Sequence, residues 1–275
     1  MMMSPPAVLT IAGSDCSAGA GIQADLKTFS TLGCYGLTAL TSVVAEVPAK
    51  VESIQLLPAE MIAAQIRVLM EAFPVVAAKT GMLGGREQIA AVVKAWRPMA
   101  ERDIPLVIDP VMVATSGGRL IEEDAVQVMV QELFPMAYLI TPNMDEAAAL
   151  LGVAIQSRED MQHAALALAE EHDCAILLKG GHLSGDDAPD VLVHQKSIHW
   201  LEGRRIHGVH THGTGCTYSA AITAGLGRGL PLHEAVIEGK KFVTQAIADY
   251  FRWMTKAGGL DALNHRALSI QVGRL

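Results

Sequence analysis

Short apolar runs rich in β-branched residues alternate with longer amphipathic segments along the whole chain. The first run covers residues 8–12, and apolar residues at helical spacing follow over residues 21–32. Parallel strands need a crossover connection, usually a helix, so this alternation is typical of a parallel sheet. It predicts an α/β fold with a mostly parallel central sheet and helices on both faces.

The same pattern sets the expected elements and a single domain. Further strands are predicted at residues 37–45, 75–79, 105–109, 137–141, 174–179, 191–194 and 197–201, and helices at 59–72, 85–99, 122–133, 145–151, 157–172, 214–227 and 232–254. Gln195 and Lys196 are the predicted hairpin turn between the last two strands. Because the sequence contains no internal repeat and no long Pro/Gly/Ser linker, we expect one domain over residues 1–275.

Composition restricts the functions open to such a chain. It has 275 residues, of which 51% are hydrophobic and 18% charged, and this balance excludes a disordered protein. A net charge of −8 and an aromatic content of 4% argue against a nucleic-acid partner, which would need a basic surface or stacking rings.

Signals for a membrane or for secretion are weak. The uncharged residues 28–45 are interrupted by Gly33, Gly36 and several hydroxyl side chains, so we expect no membrane span and no membrane partner. Neither Lys nor Arg precedes Lys27, whereas a signal peptide begins with a basic segment. The four cysteines lie far apart without CxxC spacing, which favours reduced thiols. We therefore expect a cytoplasmic protein.

Ligands in parallel α/β sheets bind at the carboxyl ends of the strands. In this chain those ends combine glycines, which allow close backbone approach, with charged or carboxamide side chains. In chain order they carry Gly13 with Asp15, Glu46, Gly81 with Met82, Asp109, Asn143 with Glu146, and Lys179. Together these residues predict a site for an anion and a metal ion.

The segment Gly213-Thr214-Gly215-Cys216 is a glycine-rich turn that leads into a long apolar helix. A helix start of this kind directs unpaired backbone N–H groups and the positive end of the helix dipole at one point, which suits a phosphoryl group. The same field would stabilise a Cys216 thiolate and make it a candidate proton acceptor. The alternative is a small cysteine that only packs the helix.

Asn143 and Glu146 place a carboxamide and a carboxylate on one face of a helix start. Such a pair can hold hydrated Mg²⁺ beside nucleotide phosphates. The alternative is ordinary helix capping, with Asn143 as the N-cap and Glu146 three residues later.

Two further features have simpler alternatives. Lys179, at a strand end next to glycines, is a candidate phosphate partner or a surface lysine. His182, His210 and His212 suggest a zinc site only weakly, because H-x-H lacks a third spaced ligand.

Six blocks of the sequence resemble one enzyme family, in order and along nearly the whole chain. They are LTIAGSD at residues 9–15, AGIQADLKTF at 20–29, KTGML at 79–83, ITPN at 140–143, LKGGH at 178–182 and THGTGCT at 211–217. The chain resembles the hydroxymethylpyrimidine/phosphomethylpyrimidine kinases, the thiamin-pathway branch of the ribokinase superfamily. The resemblance implies a ribokinase-like fold.

The resemblance also implies an activity and site roles. The enzyme would use ATP with Mg²⁺ to phosphorylate 4-amino-5-hydroxymethyl-2-methylpyrimidine (HMP) and then its monophosphate, and it would be a homodimer. The implied catalytic residues are Gly213, Thr214, Gly215, Cys216 and Lys179. The implied nucleotide-binding residues are Asn143, Lys179, Thr211, Gly213 and Gly215, and the implied metal-organising residues are Asp109, Asn143 and Glu146. Gly13, Asp25, Met82 and Val111 match positions that line the pyrimidine pocket.

One departure from the family pattern concerns the substrate. Where the family usually has glutamine after the second strand, this chain has Glu46, which only accepts hydrogen bonds when it is ionised. The first loop also has Cys16 where proline is common, and His210 stands where asparagine is common. Pyridoxal kinase, a relative that shares the cysteine site, is therefore the alternative activity, because Glu46 could pair with a pyridinium N–H. A non-catalytic paralogue that only binds thiamin precursors is a second alternative.

Overall fold

The computed structural model describes residues 4–48, 50–100, 102–112, 121–209, 212–255 and 258–266. Its strands are β1 (Ala7–Asp15), β2 (Tyr35–Val47), β3 (Lys50–Leu56), β4 (Val75–Thr80), β5 (Leu106–Ile108), β6 (Leu139–Ile140), β7 (Ala175–Lys179), β8 (Asp190–His194), β9 (Ser197–Leu201), β10 (Phe251–Thr255) and β11 (Gly258–Ala262). Its helices are α1 (Gly21–Thr31), α2 (Ala59–Ala72), α3 (Arg86–Ala100), α4 (Glu123–Val128), α5 (Met144–Leu151), α6 (Arg158–His172), α7 (Thr214–Gly227) and α8 (Leu232–Ala248).

The first nine strands form one sheet in the order β3-β2-β1-β4-β5-β6-β7-β8-β9. Six strands are parallel to one another, namely β2, β1, β4, β5, β6 and β7. At the two edges of the sheet, β3 pairs antiparallel with β2, and β8 and β9 continue antiparallel from β7. The predicted α/β fold with a mostly parallel sheet is confirmed. The carboxyl ends of all the parallel strands lie at the same end of the sheet, and the predicted site residues follow those strand ends.

Helices cover both faces of the sheet, as predicted. Buried apolar residues of α2, α3, α4, α5 and α6 pack on one face, and those of α1, α7 and α8 pack on the other. The strands between them are apolar on both sides, which is typical of a parallel sheet buried between two helix layers. Among the described residues, no helix is both long and apolar enough to cross a membrane.

The hairpin between β8 and β9 turns at Gln195 and Lys196, as predicted. Both residues have positive φ, 50° and 64°, as a type I′ turn requires. The predicted helix over residues 122–133 is regular only to Val128 and continues as a π-helical turn over Met129–Leu133.

At the periphery of the fold one prediction is wrong and one strand was not predicted. The helix predicted over residues 232–254 ends at Ala248, and Phe251–Thr255 is a strand that pairs with Gly258–Ala262. Aromatic residues with β propensity and the bond from Arg252 Nε to Asp261 Oδ1, at 2.7 Å, favour this hairpin over another helical turn. Strand β3 was not predicted, because its side chains are mostly exposed and show no apolar period.

Candidate active site

A cavity of about 690 Å³ lies along the carboxyl ends of the parallel strands. Most of the predicted site residues line it: Gly13, Glu46, Met82, Asp109, Val111, Asn143, Glu146, Lys179, Gly213, Thr214, Gly215 and Cys216. The two remaining predicted residues are Asp25 and Thr211. Asp25 is fully buried beneath the wall, and Thr211 lies outside the described residues. The fold therefore brings into one cavity residues that are up to two hundred positions apart in the chain.

The start of α7 faces this cavity through a turn that only glycine can make. Gly213 has a φ of +81°, and a Cβ at this position would lie 1.8 Å from the carbonyl oxygen of Gly19. The first bond of the helix runs from the Thr217 N–H to the Gly213 carbonyl oxygen at 2.9 Å, so the preceding N–H groups form the positive end of the helix. This geometry suits an anion.

Lys179 and Asp109 lie beside the helix start. A Cβ on Gly215 would be 3.3 Å from Lys179 Nζ and 3.6 Å from Asp109 Oδ2. Lys179 Nζ donates to Asp109 Oδ1 at 2.8 Å, and its side chain is only 14% exposed. Burial alone would raise the pKa of Asp109, but the Lys179 and Lys79 ammonium groups outweigh it and hold that pKa below its ordinary value. Lys179 is therefore an oriented cation in the site and not a surface lysine.

Asn143 and Glu146 form a capping box at the start of α5. Asn143 Oδ1 accepts from the Glu146 N–H at 2.9 Å, and Glu146 Oε2 accepts from the Asn143 N–H at 2.8 Å. The capping alternative is confirmed. Glu146 also lines the cavity while 4% exposed, and burial raises its pKa to about 7, with Lys179 opposing this shift and Asp109 adding to it.

The donor set fits a magnesium ion at the carboxylates. Asp109 and Glu146 are hard oxygen donors that face one cavity, and Mg²⁺ needs only one or two carboxylates because it keeps several waters. The side-chain oxygen of Asn143 already caps its own helix. Glu146 Oε2 takes part in the same capping box, but the carboxylate has a second oxygen, so we expect the metal contacts on Asp109 and Glu146 and expect Asn143 to act at the helix start.

A fully buried ion pair, which the sequence analysis did not identify, lies beneath the cavity wall. Lys79 Nζ is 3.0 and 3.1 Å from the two carboxylate oxygens of Asp25, and Thr10 Oγ1 donates to Asp25 at 2.6 Å. The predicted pocket-lining role of Asp25 does not agree with this arrangement, because both of its oxygens are engaged below the surface. A lysine inside an apolar strand was the available signal, since a buried charge requires a partner.

Cys216 lines the cavity from the first turn of α7, as predicted, but its protonation state differs from the prediction. We expected the helix start to favour a thiolate. Burial instead raises the pKa of the thiol to about 11, although Lys79 and the Gly21 N–H act in the opposite direction. The thiol is therefore protonated at neutral pH in the free protein, and its role as proton acceptor stays a prediction.

Three titratable side chains meet at the end of the cavity formed by β1 and β2. Ligand atoms of Asp15, Glu46 and His212 all lie within 4.8 Å of one another. His212 Nε2 is 3.1 Å from Asp15 Oδ2, and Asp15 also accepts from the N–H groups of Ser17, Gly19 and Ala20. Burial of Asp15 would raise its pKa, but the hydrogen bonds from His212, Ser17 and Ala20 outweigh burial and lower this pKa to about 2. The hydrogen bond to Asp15 raises the pKa of His212.

These contacts do not support the zinc hypothesis. Asp15 Oδ2 accepts several hydrogen bonds, so it has no lone pair to offer a metal ion. His182 Nδ1 lies 2.8 Å from Asp145 and His212 pairs with Asp15, so the two histidines have different partners. His210 lies outside the described residues.

The chain matches known proteins over most of its length. The family model described as phosphomethylpyrimidine kinase matches residues 15–261. A hydroxymethylpyrimidine/phosphomethylpyrimidine kinase of Rhizobium meliloti is 44% identical over 241 residues, which cover 87% of this chain and 90% of the relative.

Solved structures of two kinds are similar to it. The ADP complex of Bacillus subtilis pyridoxal kinase superimposes with a TM-score of 0.86 at 37% identity and covers 96% of this chain and 99% of its own. The phosphomethylpyrimidine kinase of Clostridium difficile 630 gives a TM-score of 0.77, also at 37% identity, over 88% of this chain and 99% of its own.

Proposed function

Because this chain belongs to the phosphomethylpyrimidine kinase family of phosphotransferases, we propose that it phosphorylates HMP and then HMP monophosphate with ATP, as a step of thiamin biosynthesis. The observation that carries the proposal is the junction at the start of α7. There a glycine-bounded helix start, the Lys179 cation and the Cys216 thiol face one cavity. Such a junction fits the transfer of a phosphoryl group to a hydroxyl.

In the proposed reaction the hydroxymethyl oxygen of HMP attacks the γ-phosphorus of ATP. The bond from that phosphorus to the bridging oxygen breaks, and ADP leaves. The start of α7 and Lys179 stabilise the charge on the transferred phosphoryl oxygens, and the hydroxyl proton passes to Cys216 in its thiolate form, which is the minor form at neutral pH. Held by Asp109 and Glu146, Mg²⁺ would neutralise charge on the nucleotide phosphates.

The roles of Glu146 and Asn143 predict different results for two variants. Glu146→Gln should raise the Mg²⁺ concentration needed for half-maximal rate, because it removes a carboxylate from the cavity. Asn143→Ala should leave the Mg²⁺ dependence unchanged and lower Tm, since loss of an N-cap costs about 1 kcal/mol. Initial rates over a Mg²⁺ series, together with thermal melts, measure both. An unchanged Mg²⁺ dependence in Glu146→Gln would show that Glu146 only caps its helix.

Pyridoxal kinase is the second candidate function. It is favoured by the likeness to the Bacillus subtilis pyridoxal kinase structure and by Glu46, a carboxylate where the family usually has glutamine. We rank pyridoxal kinase below HMP kinase, because the family model and the 44% identical relative are both described as kinases of the pyrimidine. A non-catalytic paralogue ranks lower still, since Asp109, Lys179 and Cys216 are all retained in the cavity.

The proposed function is tested by incubating the purified protein with HMP, ATP and Mg²⁺ and following products by liquid chromatography and mass spectrometry. We expect HMP monophosphate first and the diphosphate later, with one ADP formed for each phosphoryl group transferred. If neither phosphorylated pyrimidine appears while ADP formation stays at background, the proposal is wrong.

Two further properties belong to the proposal. We propose a homodimer, on the resemblance to the family, and sedimentation velocity measures its mass. We also propose a cytoplasmic location, which the four free cysteines support.

A further inference from the structure

The cavity end formed by β1 and β2 combines the apolar side chains of Val44 and Met82 with the titratable side chains of Asp15, Glu46 and His212. Ser42, Val44 and Glu46 point to the same side of β2, because side chains alternate along a strand. A Cβ on Gly13 would lie 2.6 Å from Ser42 Oγ and 2.9 Å from Met82 Cε, so only a glycine fits between these side chains at the cavity wall. Gly13, Val44 and Met82 line the cavity together with Glu46, whose side chain is partly exposed.

Among the described residues, none forms an ion pair with the Glu46 carboxylate, although the nearby His212 acts on its charge. From the start of α7 it faces His212, and from the end of β1 it faces Asp15, but these two side chains pair with each other at 3.1 Å. On β3, Lys50 Nζ donates to Glu52 Oε2 at 2.5 Å, and both side chains are exposed to solvent. Cys16 contacts only the main chain of Glu46, with its sulfur 3.3 Å from the Glu46 nitrogen.

Because Glu46 is partly exposed, water can complete the hydrogen bonding of its carboxyl group in the free protein, and a ligand that displaces this water must do so instead. Among the residues that the structure describes, none donates a hydrogen bond to the Glu46 carboxylate. An ionised carboxylate only accepts hydrogen bonds, whereas a protonated carboxyl group both donates and accepts. An aminopyrimidine offers an amine that donates and, beside it, a ring nitrogen that accepts when neutral and donates when protonated. If Glu46 and the ring nitrogen share one proton, the carboxyl group and the ring nitrogen form a hydrogen bond with each other, whichever of the two atoms carries the proton.

We propose that Glu46 makes this site specific for an amino-substituted nitrogen heterocycle that binds together with one proton, shared between the carboxyl group and the ring nitrogen. The inference rests on the proposed function, because HMP supplies such a ring. Burial and the nearby Asp15 raise the pKa of Glu46, with His212 opposing, in agreement with a carboxyl group that readily takes up a proton. Above the ordinary pKa of both partners, the complex holds one proton more than its separate components, so affinity falls as pH rises.

Proton uptake is measured by isothermal titration calorimetry of HMP into the protein at about pH 8, in buffers of different ionisation enthalpy. The slope of binding enthalpy against buffer ionisation enthalpy gives the number of protons taken up. We expect about one proton per HMP for the wild type and close to none for Glu46→Gln, which is isosteric and partly exposed and should therefore fold. Asp145→Asn is the matched control. Asp145 is another carboxylate on the cavity wall, paired with His182, and its loss should leave the proton count unchanged.

Two results would overturn the inference, and they separate it from the proposed function. If HMP is phosphorylated and binds without proton uptake, or if Glu46→Gln takes up as many protons as the wild type, the shared proton is wrong and the kinase activity stands. If HMP is neither bound nor phosphorylated, both proposals fail. A wild-type affinity that weakens about tenfold per pH unit above pH 8, with a flat profile in Glu46→Gln, would support the inference through a second measurement.

Discussion

Replacing Cys216 with alanine is expected to lower kcat for HMP by at least about 100-fold, the usual size of a general-base contribution. The affinity for ADP should be unchanged, because the start of α7 and Lys179 remain. Since the thiol has a pKa of about 11, kcat of the wild type at saturating substrates should rise between about pH 7 and about pH 9 as the thiolate fraction grows. The variant should lack this rise. Steady-state kinetics over that pH range measure both effects.

Cys34 provides the matched control for loss of a thiol. It is 6% exposed and packs against α7, with its sulfur 3.6 Å from the carbonyl oxygen of Ala224. Cys34→Ala should lower Tm, because it leaves a small cavity, while kcat is retained. If Cys216→Ala behaved in the same way, with a lower Tm and most of its kcat, Cys216 would be a packing residue and another group would accept the proton.

Replacing Gly213 with alanine should also lower kcat by at least about 100-fold, an effect comparable with the removal of one oxyanion-hole donor. The added methyl group would lie 1.8 Å from the Gly19 carbonyl oxygen, so the turn must move and the N–H groups at the start of α7 move with it. The affinity for ATP should fall together with kcat, because the nucleotide phosphates use the same helix start. Steady-state rates over an ATP series, which give kcat and the KM for ATP, measure both losses.

Gly152 separates this effect from backbone strain. It ends α5 with a φ of +69°, and a Cβ there would meet no heavy atom within 4 Å. Gly152→Ala therefore carries a similar strain of about 1–2 kcal/mol without a collision. We expect a lower Tm and an unchanged kcat. If Gly213→Ala also retained its kcat, the start of α7 would not be the anion site.

The sequence predicted the interior of the fold better than its edges. Parallel strands buried between two helix layers are continuous apolar runs, which is why β4 and β7 were found within one residue of their true bounds, although β1 continues three residues beyond its predicted end. The edge strand β3 and the hairpin of β10 and β11 are mostly exposed, so their residues follow no apolar period. Their pairing depends on neighbours that local sequence patterns do not reveal.

The position of the site was predictable because the carboxyl ends of parallel strands meet at one edge. The charges and protonation states within the site could not be predicted from the sequence. The pairing of Lys79 with Asp25 joins residues 54 positions apart, and it takes Asp25 away from the cavity wall. The raised pKa of Cys216 depends on how deeply the folded chain buries the thiol, which the GTGC motif alone does not show. The arrangement of Asp15, Glu46 and His212 likewise exists only in the folded chain.

The proposed activity is tested most directly by competition between the two alcohols in one vessel. HMP and pyridoxal are supplied at equal concentration with limiting ATP and Mg²⁺, and the phosphorylated products are quantified by mass spectrometry. The ratio of products gives the ratio of kcat/KM values for the two substrates. We predict that HMP monophosphate and diphosphate together exceed pyridoxal phosphate by at least about tenfold, which corresponds to ~1.4 kcal/mol in transition-state binding. A mixture dominated by pyridoxal phosphate, or one without phosphorylated pyrimidine, would contradict the assignment of this chain as a hydroxymethylpyrimidine kinase.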